Sequence, residues 1–196
     1  MHLVLASRSS RRADLLTSAG FEFELAPADI DEQLFDGETA TDYVSRLARD
    51  KAAHVAKGYP DSVVLGADTV VVVDDAILGK PVDDLDASRM LHELSGRDHK
   101  VLTGVALQSE GEQWHEVEST LVRFRELSAW DIAWYVRSGE SLGKAGAYAI
   151  QGLASRFVIR IEGSYSNVVG LPVAVTDRML RTIQRPRRSD AYIQRD

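Results

Sequence analysis

The sequence contains no cysteine among its 196 residues. A disulfide framework, a thiolate nucleophile and a cysteine-ligated zinc site are therefore excluded. Long apolar runs are also lacking, because the first one, residues 3–6, is far shorter than the core of a signal peptide or a membrane span. These absences favour a cytoplasmic protein with no membrane partner.

Positive charge is scarce as well. The formal net charge is −7, whereas a nucleic-acid-binding surface is expected to be basic. We therefore expect no nucleic-acid partner, although a small anionic substrate depends only on local charge. Basic residues are concentrated at the C-terminus, where residues 181–196 carry five arginines and two aspartates. We interpret residues 184–196 as a basic, solvated tail after one domain of residues 1–183, with contact to an anionic partner as the alternative.

Several familiar catalytic patterns are also missing. The five histidines show no metal-ligand spacing, and no Gly-x-Ser-x-Gly elbow occurs. Asp68 is followed two residues later by Val70, where an aspartyl-phosphate phosphatase would have a second aspartate. Zinc, serine-hydrolase and aspartyl-phosphate chemistry are therefore set aside.

The composition is that of an ordinary soluble enzyme, with 44% hydrophobic and 27% charged residues. The length suits one domain, or one domain divided into two lobes. Hydrophobic periodicity predicts an α/β protein with a mixed sheet, in which Gly111 lies in a hairpin within residues 100–127. Further strands are predicted at 3–6, 21–25, 62–73, 76–78, 147–150 and 157–161, and helices at 11–20, 41–57, 86–94, 129–137 and 173–183.

Two segments carry cations suited to phosphate. Residues 7–12, Ser-Arg-Ser-Ser-Arg-Arg, lie between a predicted strand and a predicted helix. Helix N-terminal N–H groups, hydroxyls and guanidinium forks bind phosphate well, but a serine-capped helix with solvated arginines explains the same residues. Lys80, held between Gly79 and Pro81, either points its ammonium at a fixed anion or belongs to an ordinary turn.

Two other segments suggest a site by their context. Asp68 interrupts the apolar residues 62–73, and a buried carboxylate there requires a partner or a metal. It could hold Mg²⁺ or accept a proton from water, or Asp68 and Thr69 could form a turn between two strands. In residues 143–152, small residues surround Lys144 and Gln151, which suits either close approach of a ligand or a flexible glycine loop.

In this order, these segments resemble the Maf family of nucleotide pyrophosphatases. The resemblance extends from Leu5 to Pro172 and depends on the whole series rather than on any single motif. The matching motifs are Leu5-Ala6-Ser7 with Ser10-Arg11-Arg12, Leu47-Ala48 with Lys51-Ala52, Gly66-Ala67-Asp68-Thr69-Val70-Val71, Leu78-Gly79-Lys80-Pro81, Leu94-Ser95-Gly96, His99-Lys100-Val101, Thr103-Gly104-Val105, Lys144-Ala145-Gly146-Ala147-Tyr148, Ile150-Gln151-Gly152, Gly163-Ser164-Tyr165 and Asn167-Val168-Val169-Gly170-Leu171-Pro172.

The resemblance implies a fold, a reaction and a set of site residues. The fold would have two lobes flanking a cleft, similar to inosine-triphosphate pyrophosphatases, and a homodimer is common. The reaction would cleave a nucleoside triphosphate between its α- and β-phosphates with Mg²⁺ or Mn²⁺. Asp68 would be the catalytic residue and, with Glu32, the metal-binding carboxylate. The residues expected to bind substrate are Ser7, Arg11, Arg12, Lys51, Thr69, Lys80, Lys144 and Gln151.

Base preference and two departures from the family pattern complete the prediction. Arg11, Thr69 and Gln151 match the dTTP- and UTP-cleaving group, and the Gln151 amide complements O4 and N3–H of uracil or thymine. Gly143 stands where an aspartate commonly precedes the lysine, just as Ser10 replaces a usual proline. The alternative is a catalytically inactive nucleotide-binding regulator of cell division and septum formation, which the missing carboxylate at position 143 favours.

Overall fold

The computed structural model describes residues 1–184. Residues 185–196, nearly all of the predicted basic tail at 184–196, lie outside the described part. None of the helices in the described part is both long and apolar enough to span a membrane.

The strands are β1 Leu3–Ala6, β2 Glu24–Leu25, β3 Val63–Val73, β4 Ala76–Leu78, β5 Asp98–Ser109, β6 Glu112–Phe124 and β7 Val158–Glu162. The helices are α1 Ser10–Ser18, α2 Ala40–Ala56, α3 Asp84–Leu94, α4 Ala129–Arg137, α5 Tyr165–Val169 and α6 Val173–Gln184, with short 3₁₀ helices at Ala145–Ala147 and Leu153–Arg156.

All seven strands belong to one mixed sheet, in the order β2-β1-β3-β5-β6-β7, with β4 paired to β3. β1 runs parallel to β2 and β3, whereas the other pairs are antiparallel. The long strands follow from their β-branched, apolar sequences, which pack well on a pleated surface. The predicted α/β class with a mixed sheet is confirmed.

The sheet has an opening on one side of β3. β1 pairs with β3 only as far as Ala6, which faces Gly66. β4 begins to pair on the same side at Val71, while β5 covers the other side along residues 64–72. Among the described strands, residues 67–70 therefore have a neighbour on one side only. This opening exposes the middle of a central strand to a ligand.

Helix α2 packs directly against the sheet beside that opening. A Cβ atom added to Gly66 would lie 2.1 Å from the Ala48 carbonyl oxygen, and one added to Gly104 would lie 2.2 Å from that of Val44. Only glycine permits so close an approach of helix and strand backbones. The close packing brings Lys51 of α2 within reach of β3.

The buried apolar residues fall into separate clusters along β3. Residues of β1, α1, α6 and the first part of β3, including Leu65 and Ala67, form one cluster. Residues of the later part of β3, α3, α4 and the segment before β7, including Val71 and Val73, form another. Residues 68–69 lie where β3 passes from one to the other. This boundary separates the two lobes that the sequence predicted.

The strand predicted at residues 147–150 is wrong. The chain forms a 3₁₀ helix at Ala145–Ala147 and then a turn, with positive φ of 65° at Gly146 and 58° at Ala147. A Cβ atom on Gly146 would lie 2.7 Å from Cγ2 of Val71, so this segment packs on β3 instead of pairing with it. Helix α5 was not predicted, although Ser164 caps it by accepting a hydrogen bond from the Asn167 N–H.

Candidate active site

A cavity of about 650 Å³ lies at the opening beside β3. Its lining comes from the β1–α1 turn, the loop between β2 and α2, α2, β3, the segment around residue 143–151 and the end of α5. These parts are distant in sequence but meet because the opening lies at the boundary of the two lobes. The predicted site residues that line it are Ser7, Arg11, Arg12, Glu32, Lys51, Asp68, Thr69, Lys80 and Gln151.

Lys144 is the one predicted site residue of the described chain outside this lining, although Gly143 and Ala145 belong to it. Its Nζ donates a hydrogen bond to the Leu142 carbonyl oxygen at 3.2 Å. Burial and then the positive charge of Arg11 lower the pKa of Lys144. The ammonium therefore lies near the arginines but points into a local turn.

A buried ammonium joins the two predicted metal-binding carboxylates. Lys51 Nζ lies 2.6 Å from Asp68 Oδ1 and 2.6 Å from Glu32 Oε1, and Glu32 Oε2 lies 3.5 Å from Lys80 Nζ. Burial alone would raise the pKa of Glu32, but hydrogen bonding and ion pairing with Lys51 and then Lys80 lower it. Asp68 lies inside an unbroken strand rather than in a turn, and Lys51 is its partner.

Arg12 is a buried cation held by neutral oxygens. Its Nε donates to the Gly170 carbonyl at 2.7 Å, Nη1 to Ser7 Oγ at 3.2 Å and Nη2 to Thr69 Oγ1 at 3.0 Å. Within residues 1–184, no carboxylate forms an ion pair with it. Burial lowers the pKa of Arg12, and the nearby Asp68 charge partly offsets this effect. A fixed guanidinium without a direct carboxylate partner among the described residues suits an anionic ligand.

Arg11 and Thr69 lie beside Arg12 in the lining of the cavity, and we call this part the cationic side of the cavity. Arg11 Nε donates to the Val169 carbonyl at 3.3 Å, and burial lowers the pKa of its half-buried guanidinium. Thr69 Oγ1 lies 2.9 Å from Thr103 Oγ1, which donates to the Asn167 carbonyl at 3.3 Å. The last residue of helix α5 and its C-cap residue, Gly170, thus supply the carbonyl groups that orient the two arginines. The sequence predicted no role for these residues, although residues 167–172 belong to a motif that matches the family.

Gln151 lines the cavity from the turn before Leu153–Arg156. Its side chain is exposed, and its amide makes no hydrogen bond to any residue between 1 and 184. The amide is therefore free to pair with a ligand. Gly143, also in the lining, has a φ of 70° and nothing within 4 Å of an added Cβ. An aspartate would fit there, because Asp is among the residues that tolerate this conformation.

The cap expected at the start of α1 differs from the prediction. Ser9 is the N-cap residue, but its side chain makes no capping hydrogen bond. Instead, Ser7 Oγ accepts a bond from the Ser9 N–H at 3.1 Å and another from Arg12. The serine-rich turn therefore orients a cavity arginine as well as the chain that enters the helix.

Four further residues near the cavity were not predicted as site residues, although Arg8 belongs to the segment at 7–12 that was proposed for phosphate. Arg8 and Asp29, both in the lining, form an exposed ion pair at 3.1 Å. Tyr43 donates its hydroxyl to the Glu32 carbonyl at 2.7 Å, and Arg46 Nη2 donates to the next carbonyl, that of Gln33, at 3.0 Å. Tyr43 and Arg46 belong to α2, so these two bonds attach the irregular loop that contains Glu32 to that helix. No local pattern could reveal these contacts, since they join separate segments.

Glu32 and Asp68 could hold a divalent cation. Across the described residues, no group of three or more His, Cys, Asp or Glu side chains is arranged to hold a metal. Mg²⁺, however, is usually bound through one or two carboxylates together with water and substrate phosphates. The pair therefore fits a cation that completes its coordination with the substrate.

The fold and cavity define an α/β protein with a cleft that is lined by charged side chains and lies beside an open strand. The sequence model of the Maf-like protein family matches residues 2–183, and the chain belongs to that family, as predicted. The dTTP/UTP pyrophosphatase of Koribacter versatilis is 50% identical over 181 residues, which cover 92% of this chain and 94% of that protein. The dTTP/UTP pyrophosphatase of Hahella chejuensis is 55% identical over 185 residues, covering 91% and 90%. A solved nucleoside-triphosphatase / dITP/XTP pyrophosphatase from Mycobacterium abscessus has a TM-score of 0.45 and 15% identity, and the match covers 95% of this chain and 100% of that one.

Proposed function

We propose that this protein hydrolyses dTTP and UTP to the nucleoside monophosphate and pyrophosphate. The family and the names of its relatives support this activity. The observation that carries it is the arrangement on β3, where neighbouring residues face two kinds of group. Asp68 contacts Lys51, which also contacts Glu32. Thr69, in contrast, accepts a hydrogen bond from Arg12, a cation without a carboxylate partner among the described residues.

The triphosphate binds along the cationic side of the cavity. Arg12 is already oriented by three hydrogen bonds, so little side-chain entropy is lost when it meets a phosphate oxygen. Arg11 and the Ser7 hydroxyl lie beside it. Lys80 is mostly exposed and lies 3.5 Å from Glu32, so it can turn to a phosphate at little cost. Positioning and charge neutralisation supply most of the catalysis in phosphoryl transfer.

Glu32 and Asp68 hold a divalent cation, Mg²⁺ or Mn²⁺, in this proposal. When bound, such a cation neutralises charge on the phosphate oxygens and lowers the pKa of a bound water. Lys51 keeps the two carboxylates together, because its ammonium contacts both of them at 2.6 Å. Its role is therefore to organise the carboxylates, rather than to bind phosphate alone.

Asp68 receives the proton of the attacking water. Within the described residues only its Oδ1 accepts a hydrogen bond, so Oδ2 is available to water. The water oxygen forms a bond to the α-phosphorus while the bond to the bridging oxygen breaks and pyrophosphate leaves. One water is consumed, and its oxygen remains on the nucleoside monophosphate.

Gln151 selects the base. Its amide carries one acceptor and one donor group, which match N3–H and O4 of uracil and thymine. A site that hydrogen-bonds one base leaves buried polar groups unpaired with a wrong base. CTP reverses the donor and acceptor pattern at these two positions and is the most informative competitor.

The test measures pyrophosphate release from dTTP, UTP, CTP, ATP and GTP by the purified protein with Mg²⁺ or Mn²⁺. We expect the highest kcat/KM for dTTP and UTP. Equal rates on all five would reject the base preference but keep the reaction. Tight binding of dTTP or UTP without any pyrophosphate release would reject the enzyme and support the nucleotide-binding regulator.

A further inference from the structure

The backbone that carries Gln151 is held by two residues that lie behind it, outside the cavity lining. Tyr135 lies in α4, and Glu140 follows that helix. Tyr135 is fully buried, and its hydroxyl donates to Glu140 Oε1 at 2.9 Å. Neither side chain is among the described residues that line the cavity. The two side chains therefore bind the Gln151 segment directly but are separated from a ligand in the cavity by that segment.

The pair is bonded to the chain on both sides of Gln151. Before it, the Ala149 N–H donates to the Tyr135 hydroxyl oxygen at 3.1 Å. After it, the Leu153 N–H donates to Glu140 Oε2 at 3.0 Å, and the Ala154 N–H approaches Oε1 at 3.4 Å. This segment belongs to no strand, so these bonds replace the ladder that a strand would supply.

Gly152 shows how closely the carboxylate fits this backbone. An added Cβ would lie 2.2 Å from Glu140 Oε2 and 2.5 Å from Oε1. The carboxylate cannot simply move aside, because three hydrogen bonds fix it. Burial and the bond to Glu140 raise the pKa of Tyr135, so its hydroxyl remains a donor throughout the neutral range. The turn at Gln151 is therefore held at a defined distance from α4.

We infer that Tyr135 and Glu140 are positioning residues that orient Gln151 and thereby set the base selectivity of the cleft. The inference rests on the proposed function, in which the Gln151 amide pairs with uracil or thymine. Discrimination between UTP and CTP requires that the amide be held in place, because a loose amide can shift or rotate to suit either base. The pair supplies that restraint from outside the binding site.

The test uses Glu140→Gln and Tyr135→Phe, which remove one charge and one hydroxyl. A matched pair elsewhere provides the controls. The Tyr59 hydroxyl donates a hydrogen bond of 2.5 Å to Glu24 Oε1, and neither residue lines the cavity. We expect the ratio of kcat/KM for UTP to that for CTP to fall at least about tenfold in both variants, since displacements near 1 Å have large effects. Glu24→Gln and Tyr59→Phe should keep the ratio of the unmodified protein.

A combined variant separates positioning from a general loss of structure. In a Gln151→Ala background, Glu140→Gln should change the UTP-to-CTP ratio no further, because the residue that it orients is gone. Hydrogen exchange of the peptide covering residues 149–154 should be faster in Glu140→Gln and Tyr135→Phe than in the controls. If one of the two variants does not fold, the other carries the same comparison.

Three outcomes would overturn the inference. The first is an unchanged ratio in a folded Glu140→Gln or Tyr135→Phe protein whose 149–154 peptide exchanges faster. The second is an equal drop in the ratio with and without Gln151. The third is an unmodified protein that does not distinguish UTP from CTP, in which case the proposed base preference fails as well. The first two leave the proposed function intact, so the two failures are distinguishable.

Discussion

At the scale of single residues, the cavity contains two buried cations in opposite situations. Lys51 contacts two carboxylates, whereas Arg12 is bonded only to neutral oxygens among residues 1–184. Breaking a buried pair leaves an uncompensated charge and is strongly destabilising. An unpaired guanidinium instead gains a partner when an anion binds. The first cation therefore maintains the site, and the second is available to the substrate.

Replacing Asp68 by asparagine tests its assignment as the proton acceptor. The change keeps the shape of the side chain but removes its charge and basicity. We expect kcat to fall by about 10²–10⁴-fold, the usual contribution of general base catalysis, with a smaller change in nucleotide affinity. The measurement is steady-state pyrophosphate release from UTP. Asp98→Asn, which removes an exposed ion pair with Arg123, is the control, and a kcat near normal in Asp68→Asn would contradict the role.

Replacing Arg12 by alanine tests the anion site. Charge-assisted bonds to a phosphate are each worth roughly 1.5–3 kcal/mol. We expect binding of UTP, measured calorimetrically, to weaken accordingly. Arg12→Lys should restore little of it, because a lysine cannot reproduce three bonds in a fork. Arg89→Ala, at an exposed ion pair of α3, and Arg187→Ala in the C-terminal tail should bind normally. Normal affinity in Arg12→Ala would place the phosphates elsewhere.

At the scale of secondary structure, the site depends on the close contact of α2 with the sheet. Gly66 and Gly104 lie on neighbouring strands, and each faces a carbonyl group of α2. The helix can therefore present Lys51 to Asp68 at hydrogen-bond distance. A wider gap between helix and sheet would break that bond even if every cavity residue were kept.

Gly104→Ala tests this packing. The added methyl group would lie 2.2 Å from the Val44 carbonyl oxygen, so α2 must move away. We expect a loss of roughly 1–3 kcal/mol in the free energy of unfolding, as for other overpacked sites, together with reduced kcat. Gly58→Ala is the control, because its nearest atom would be at an ordinary 3.7 Å. Unchanged stability and kcat, measured by urea unfolding and UTP hydrolysis, would show that the helix yields without effect.

Most elements could be predicted from the sequence, because hydrophobic periodicity is local. The helix predicted at 41–57 and the strand at 62–73 agree with α2 and β3 to within a residue or two. The segment 147–150 was predicted wrongly, since Ala-Tyr-Ala-Ile has the composition of a strand. Its structure depends on Gly146 packing against Val71, a contact that links distant parts of the chain.

At the scale of the whole molecule, stability should depend on pH through a buried histidine. His99 is 2% exposed, and its Nε2 lies 2.9 Å from the Tyr148 hydroxyl. Burial lowers the pKa of His99 from 6.5 to about 4. The unfolded chain therefore binds a proton more readily than the folded one between these values. The contribution of neutral His99 to the free energy of unfolding is fully present above pH 6.5. It is lost as the pH falls towards 4, by about 3 kcal/mol in total.

Urea unfolding at pH 7 and pH 5 measures this effect. His99→Gln should flatten the dependence of the unfolding free energy on pH, whatever its effect at pH 7, because the titrating group is absent. His115→Gln, at an exposed position of β6, should keep the slope of the unmodified protein. An equal slope in His99→Gln and the unmodified protein would assign the acid sensitivity to other groups.

Composition, periodicity and a series of motifs were enough to predict the family, the α/β class and ten site residues, nine of which line the cavity. The pairing of those side chains, in contrast, became known only from the folded structure. It placed Lys51 between Glu32 and Asp68, left Arg12 without a carboxylate among the described residues, and set Lys144 outside the lining. Ion pairing depends on distances between groups in space, and here those distances are set by an opening in a sheet and by glycine contacts with a helix, which no local pattern encodes.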